Sequence, residues 1–224
     1  MSFFDIFRGI LEGMDVTLTV TFMGLCFAIP FGLVAGILQH FLKGASRASV
    51  TMIIEFWRST PVLVLMFMFY YSLPTVGIYL SATLVAASTL GLHVGAYGSQ
   101  SVRAALQALD RGQVEAGFAL GLRRPAILWT IELPQMVRAM LPTFVNQLIQ
   151  LVKGTSLVAL ITMSDMTHRA KEISQLTFDP PAIYSALLLA YFILLYPITI
   201  FGRWLERKVG QGSGKLMEDH GRGV

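Results

Sequence analysis

The sequence predicts an all-α integral membrane protein with five transmembrane helices. Only 13% of its 224 residues are charged and 54% are hydrophobic, whereas soluble domains are about 25% charged. The charges are also clustered, because residues 16–39, 59–102 and 180–202 contain none when histidine is counted as neutral. Since a helix needs about 20 mostly apolar residues to cross the hydrocarbon core, the first and third stretches each hold one span and the second holds two.

A fifth span is predicted over the apolar residues 139–164, which only Lys153 interrupts. Residues 74–77 separate spans two and three, and Gly32 and Gly36 have the GxxxG spacing that lets two helix backbones approach closely. The predicted spans cover about residues 16–38, 53–73, 78–106, 139–163 and 182–202 of a single domain at residues 1–210, followed by a flexible cytoplasmic tail at residues 211–224.

Lysine and arginine are unequally divided between the two sides of this arrangement. With the N-terminus outside, twelve of them lie in inner segments and three in outer segments. The positive-inside rule therefore predicts that the N-terminus is outside and the C-terminus is in the cytoplasm. It also accounts for the net charge of +4 without a nucleic-acid partner, because the basic residues stand at helix ends.

The largest inner segment, about residues 107–138, is amphipathic rather than membrane-spanning. Gly121 stands where a first short helix would end, and Arg123 and Arg124 follow it, where basic side chains complement the negative helix terminus. Pro125 is well placed to begin a second helix. Two short helices joined by a turn are therefore predicted to form a compact, partly apolar knob on the cytoplasmic side.

The residue pattern of this knob resembles the EAA loop of ABC-importer permeases, which reads Glu-Ala-small, three residues, Gly, nine residues, Ile-x-Leu-Pro. In that family the loop forms the coupling helices that dock in a cleft of the ATPase subunit. Gly117 replaces the more usual alanine and keeps that position small. The resemblance implies the following ATPase-coupling residues: Glu115, Ala116, Gly117, Gly121, Ile131, Leu133 and Pro134.

Flanking motifs narrow the resemblance to permeases of the polar amino-acid family and extend it over about residues 13–208. Residues 58–61, Arg-Ser-Thr-Pro, are similar to the Arg-Gly-Thr-Pro element of that family, and residues 153–157, Lys-Gly-Thr-Ser-Leu, follow its pattern through span four. The resemblance implies the type I ABC-importer permease fold and a place in the bacterial cytoplasmic membrane. It also implies as partners a cytoplasmic ABC ATPase, which would bind ATP and Mg²⁺, a second permease subunit, identical or different, and an extracytoplasmic solute-binding protein.

Polar residues inside the predicted spans are candidates for the path of a small polar solute. A charge such as Lys153 costs about 2.5–3.5 kcal/mol or more at the centre of a membrane helix. Lys153 therefore either lines the path or is satisfied by Asn146 or Gln150. The hydroxyl groups among the candidates either contact solute or bond between helices. The candidate path residues are Thr60, Gln100, Asn146, Lys153, Thr155 and Ser156.

Gln100 stands where the resembling family usually has a glutamate. If this position lines the path, loss of the carboxylate favours a neutral or zwitterionic cargo over a strongly cationic one. Polar amino acids are the cargo class that the resemblance implies, and opines or ectoine-like solutes are compatible with Gln100.

Other functions find less support in the sequence. The spans contain no Ser/His, paired-Asp or HExxH arrangement of an intramembrane enzyme, and the four histidines lack metal-ligand spacing. Residues 212–215 fail as a phosphate loop, because Val209 and Leu216 occupy the positions of its first glycine and its Ser or Thr. No catalytic site, metal or bound cofactor is therefore expected in this chain. The alternative function, an ATP-independent secondary transporter, usually shows internal repeats, and none is visible.

Overall fold

The computed structural model describes residues 2–221, and the side chains of residues 2–209. None of these residues is in a β-strand. The helices are α1 (Phe3–Leu11), α2 (Met14–Phe41), α3 (Gly44–Ser59), α4 (Val62–Phe67), α5 (Ala82–Gln107), α6 (Arg111–Ala119), α7 (Arg124–Ile127), α8 (Leu133–Gly154), α9 (Met166–Thr177) and α10 (Pro180–Gly221). Turns of π geometry (Met68–Ser72, Leu128–Glu132) and 3₁₀ geometry (Leu73–Val76, Thr155–Ile161) continue α4, α7 and α8.

Three helical stretches of the described chain are long and apolar enough to cross a membrane: Phe3–Phe41, Arg124–Ile161 and Pro180–Val209. The bent pair formed by α3 with Val62–Val76 gives a fourth. Helix α5 has 26 residues, which at 1.5 Å per residue make it about 39 Å long. It is not among the stretches that qualify as spans by length and hydropathy together, and half of its residues are buried in the protein. Its length suffices for the fifth span, which stays a prediction.

The second predicted span, residues 53–73, is not one helix. Helix α3 ends at Ser59 and the chain turns by 95° before it continues in α4. Thr60 is extended, at φ −86° and ψ 133°, because a residue before proline is driven out of the helical region. Pro61 then stands at the N-cap of α4. The prediction that this proline lies inside a continuous span is therefore wrong.

Other predicted boundaries also shift. Span three was predicted from residue 78, but α5 begins at Ala82, where the Ser81 hydroxyl accepts a hydrogen bond from the N–H of Leu84. Helical structure runs from Arg124 to Ile161, so span four is not separated from the inner segment at residue 139. Pro134 lies at the start of α8, directly after the π turn Leu128–Glu132, so it falls where the α-helical hydrogen-bond pattern is already changed.

The outer segment at residues 164–181, predicted as a loop, contains helix α9. Asp165 caps this helix by accepting hydrogen bonds from the N–H groups of Thr167 and His168, at 3.2 and 2.9 Å. At the other end of the chain, α10 runs to Gly221, although a flexible tail was predicted from residue 211. No proline follows Pro197 to interrupt this helix.

The centre of the molecule is a close contact between α2 and α5. A methyl group added at Gly36 would lie 2.5 Å from the carbonyl oxygen of Ser99, and one at Gly32 would lie 3.0 Å from that of Gly95. The GxxxG prediction is thus confirmed, since only glycine permits this distance between the two backbones. Aliphatic side chains complete this core: Val20, Val85, Leu90, Val94, Leu151, Val158 and Ile161 are buried in one cluster.

A second cluster lies at the N-terminus, where α1 packs against α9 and α10. Its centre is formed by Ile6, Ile10, Met166, Ala170 and Ile183. The short helix α1 begins with a capping box, in which Ser2 and Asp5 satisfy each other's backbone N–H groups. This amphipathic segment therefore covers the ends of two longer helices rather than extending away from the molecule.

Candidate functional site

The inner knob is built as two helical segments around one tight turn. Helix α6 begins at Asp110, whose carboxylate accepts a hydrogen bond from the N–H of Gly112 at 2.9 Å. It ends at Gly121, which has φ +78° and follows the last helical turn in the left-handed conformation that glycine adopts without strain. The N–H of Leu122 then donates to the carbonyl of Gly117 at 3.0 Å, which closes the helix end.

Gly117 sets the distance between the two segments of the knob. It is buried, and a methyl group added there would lie 3.0 Å from Ile127 and 3.3 Å from Ile131. A small residue is therefore needed at this position of the Glu-Ala-small pattern. Of the seven predicted coupling residues, Gly117 and Ile131 hold the knob together and Gly121 forms its turn. Leu133 is half-buried at the start of α8.

The remaining predicted coupling residues, Glu115, Ala116 and Pro134, are exposed. Large apolar side chains are exposed beside them: Phe118 is 51%, Trp129 72% and Leu120 81% accessible. Apolar groups exposed together on a polar segment mark an interaction surface. The knob thus has the shape and composition of a docking element.

An ion pair that the sequence analysis did not predict joins Arg124 to the buried Glu132 within the knob. Both guanidinium nitrogens of Arg124 donate to the carboxylate of Glu132, at 2.6 and 2.9 Å, and Glu132 is 3% exposed. The Arg124 guanidinium also lies 4.6 Å above the Phe41 ring at the end of α2. Spacing alone could not indicate this pair, because Arg124 begins α7 and Glu132 ends the π turn that follows, and it is this turn that brings the two side chains together.

A polar cleft of about 570 Å³ separates the knob from the inner helix ends. Glu115 lines it together with Arg47 of α3 and Arg111 of α6, and His40 lines its membrane side. Neither Arg47 nor Arg111 makes an ion pair with another residue in the part of the chain whose side chains are described. The cleft therefore presents free charges of both signs next to the exposed face of α6.

A second cavity, of about 540 Å³, lies between α4, α5 and α8. This volume falls in the range of small-molecule sites. Lys153 is the one charged residue that lines it, and no carboxylate is present. The lining residues are Val62, Leu90, His93, Val94, Tyr97, Gln147, Gln150, Lys153, Gly154, Ser156 and Leu157. We refer to this space as the α5–α8 cavity.

The α5–α8 cavity collects two of the six predicted path residues, Lys153 and Ser156. Asn146 does not line it, but its neighbour Gln147 does. Thr155 is buried and donates its hydroxyl to the Val152 carbonyl at 2.7 Å. Thr60 lies at the break between α3 and α4.

Gln100 lies outside the α5–α8 cavity and bonds within the helix bundle. Its amide nitrogen donates to the side-chain oxygen of Gln39 at 3.0 Å, and Gln39 in turn donates to Thr51 at 2.9 Å. Gln100 therefore does not line the α5–α8 cavity, and its predicted place on the solute path stays a prediction. Gln100 joins α2, α3 and α5 instead.

Two further residues of the α5–α8 cavity were not singled out from the sequence. His93 Nδ1 lies 2.7 Å from the carbonyl oxygen of Trp57, and the Tyr97 hydroxyl donates to the carbonyl of Arg58 at 3.3 Å. Both carbonyls belong to the last turn of α3. The i, i+4 spacing of His93 and Tyr97 was the available signal, since it places both side chains on one face of α5.

Residues 28–211 match the family described as binding-protein-dependent transport system inner membrane component. The chain is 34% identical over 213 residues to a protein of Sinorhizobium fredii named probable amino-acid ABC transporter permease protein y4tF, with 92% of this chain and 88% of that protein covered. It is 31% identical over 202 residues to the glutamine transport system permease protein GlnP of Escherichia coli, with 89% and 92% covered.

Two solved structures have a similar fold. The crystal structure of an amino acid ABC transporter with histidines has a TM-score of 0.83 at 25% identity, covering 93% of this chain and 99% of that one. The MetNI methionine ABC transporter in an inward-facing conformation has a TM-score of 0.70 at 21% identity, covering 90% and 94%. Because the identity to the methionine transporter is only 21%, that similarity concerns the fold alone.

Proposed function

This chain belongs to the family of binding-protein-dependent transport system inner membrane components, the permease subunits of ABC importers, and from that premise we propose that it carries polar amino acids or amino-acid-derived zwitterions into the cell. The proposed cargo class rests on the names of its relatives and on the α5–α8 cavity. It is a transport subunit and not an enzyme. Neither the family nor the fold supports the alternative of an ATP-independent secondary transporter.

The proposal rests mainly on the structure of the inner knob. Its turn, its small buried residue and its exposed Glu115 have the arrangement expected of a coupling element, and the same segment exposes large apolar side chains. Importers of this family work with an ATPase and a second permease subunit. We assign the exposed face of α6 to the ATPase, and we expect a solute-binding protein at the outer side. The nucleotide and its Mg²⁺ bind to the ATPase and not to this chain.

The structure suggests how the knob moves the helices. The contact of Arg124 with Phe41 connects the knob to α2, and the ion pair with Glu132 holds Arg124 in place. Helical structure continues from Arg124 through α8 to the α5–α8 cavity. When the two ATPase subunits close, the displacement of each knob is carried along α8. The cavity then opens alternately to the two sides of the membrane, as a two-state element requires.

The α5–α8 cavity favours solutes that carry a carboxylate. Lys153 supplies a positive charge and makes no ion pair with the residues whose side chains the structure describes. Gln147, Gln150 and Ser156 add hydrogen-bonding groups. Because no acidic side chain lines the cavity, a strongly cationic solute lacks a counter-charge there. Neutral amino acids, and opine- or ectoine-like zwitterions, fit this pattern.

Affinity purification of the tagged chain in mild detergent tests the coupling assignment. We expect an ABC ATPase to co-purify with the wild-type protein, and we expect Glu115→Lys to abolish both this association and transport while the chain still folds. Glu206→Lys is the matched control, because it makes the same change of charge at an exposed position of α10, outside the knob. A wild-type chain that purifies without an ATPase and still moves solute after reconstitution would refute the importer assignment.

A further inference from the structure

His93 is held in one tautomer by the broken span. Its Nδ1 lies 2.7 Å from the carbonyl oxygen of Trp57, and a carbonyl oxygen only accepts hydrogen bonds. The proton of the neutral imidazole is therefore on Nδ1, and Nε2 carries a free lone pair. Nε2 makes no hydrogen bond to any residue whose side chain is described.

The surroundings of His93 fix its ring as well as its tautomer. The Tyr97 ring packs edge-on against it, with 5.3 Å between the ring centroids. The Arg58 guanidinium lies 5.1 Å from the centroid of the Tyr97 ring, and the Tyr97 hydroxyl donates to the carbonyl of Arg58. The Trp57 carbonyl stands at the negative end of α3, which further polarises the Nδ1–H bond. An imidazole that donates through one nitrogen is a better acceptor at the other.

The α5–α8 cavity offers a positive group and acceptors, but no carboxylate. A zwitterion bound by Lys153 through its carboxylate still carries an ammonium group, which costs free energy if it is buried without an acceptor. We infer that His93 is a specificity-determining residue of this cavity, whose Nε2 accepts a hydrogen bond from the ammonium group of the solute. This inference rests on the proposed function and adds the residue that recognises the amine.

This arrangement has a consequence for cargo selection. A hydrogen bond to a charged group is worth on the order of tenfold to hundredfold in affinity. A solute with the carboxylate but without the amine gains the interaction with Lys153 and not that with His93. The wild-type cavity should therefore prefer an amino acid over its amine-free analogue by such a factor.

Two substitutions separate recognition from positioning. His93→Asn retains a side-chain N–H that can donate to the Trp57 carbonyl and lacks an acceptor at the place of Nε2. His93→Gln can place its amide oxygen at that position. If His93 acts only by packing, the two variants will behave alike. If it recognises the amine, only the glutamine variant retains the preference for amino acids.

The experiment measures equilibrium binding to the purified complex of this permease with its ATPase, without the solute-binding protein. The probes are glutamine with glutaramate, and histidine with imidazolepropionate, so that each pair differs by the amine. We expect His93→Asn to lower binding of the amino acids at least tenfold, with binding of both amine-free acids unchanged. His93→Gln should restore most of the preference. If His93→Asn prefers amino acids over the amine-free acids as strongly as the wild-type protein does, the inference is overturned.

Lys153→Gln distinguishes this result from failure of the proposed function. Suppose that Lys153→Gln weakens binding of all four probes while His93→Asn keeps the wild-type preference for amino acids over amine-free acids. The cavity is then supported as the solute site, and the role of His93 is refuted. If the wild-type complex binds none of the probes, or if Lys153→Gln leaves all four affinities unchanged, both the assignment of the cavity as the solute site and the role of His93 are refuted.

Discussion

At the scale of single residues, buried polar groups decide what the helices can do. Asp165 is fully buried, although a carboxylate beside an outer helix end suggests a solvated side chain. Its oxygens cap α9, and its Oδ2 accepts a hydrogen bond from the Tyr191 hydroxyl at 3.4 Å. The backbone of residues 165–166 also lies against Gly13, where any side chain would collide. Burial raises the pKa of Asp165 above its ordinary value, and its hydrogen bonds oppose that shift.

The raised pKa of Asp165 predicts a pH-dependent effect of Asp165→Asn. The protonated form is favoured in the folded protein, so the stability that Asp165 contributes is present at acidic pH and is lost as pH rises through the folded-state pKa. Asparagine also caps helices and does not ionise. Thermal unfolding in detergent should therefore show the variant more stable than wild type at pH 7.5, with a smaller difference near pH 4. A difference that grows on acidification would contradict the assignment.

At the scale of elements, glycine decides which helices meet. Helices α2 and α5 touch backbone to backbone at Gly24 and Gly91, at Ala28 and Gly95, and near Gly36. Because membrane helices gain little from excluding lipid, such contacts depend on close van der Waals packing. The same contact keeps α5, half of whose residues are buried, enclosed by its neighbours.

Two alanine substitutions in α5 test this packing. A Cβ atom at Gly91 would overlap the backbone carbonyl of Gly24, whereas one at Gly98 would meet no atom within 4 Å. Overpacking a well-packed contact costs about 1–3 kcal/mol, while alanine in open space gains up to about 1 kcal/mol of helix propensity. Thermal unfolding should show Gly91→Ala clearly destabilised and Gly98→Ala at least as stable as wild type. Equal loss in both variants would show that the α2–α5 contact does not depend on Gly91.

At the scale of the whole molecule, polar contacts link the knob to the helix bundle. Arg124 joins the knob to α2, and the chain of side chains from Thr51 through Gln39 to Gln100 joins α3, α2 and α5 near their inner ends. His93 and Tyr97 then tie α5 to the last turn of α3. The helix that precedes the break at Pro61 is therefore tied to both α2 and α5.

The charge distribution predicts the orientation of the whole molecule in the membrane. In a Cys26→Ser background, Ser164→Cys should react with a membrane-impermeant maleimide applied outside intact cells, and Ser46→Cys should react only after the membrane is opened. Both serines are exposed, and Cys26 is replaced because it is exposed too. The reverse pattern would place the N-terminus inside.

Much of the candidate site could be predicted from the sequence. The knob followed from Gly121, Pro125 and the EAA-like spacing, because turn and cap residues act locally on the backbone. Lys153 followed from the cost of a charge in an apolar stretch. The contacts of His93 and the enclosure of Gln100 could not be predicted, because each depends on a contact between segments whose relative positions only packing sets. The pairing of Arg124 with Glu132 depends on the π turn Leu128–Glu132, which no residue pattern indicated.

The sequence by itself determined that this chain is a membrane protein of several apolar helices with an amphipathic inner segment, since hydrophobic length and helix-terminating residues are local properties. Only the tertiary structure decided that residues 53–73 bend by 95° and that α9 replaces a loop. It also decided that Lys153, His93 and the glutamines of α8 share one cavity. The physical reason is that a cavity exists only where helices far apart in sequence fail to fill the space between them. No local sequence pattern can predict where such a space lies.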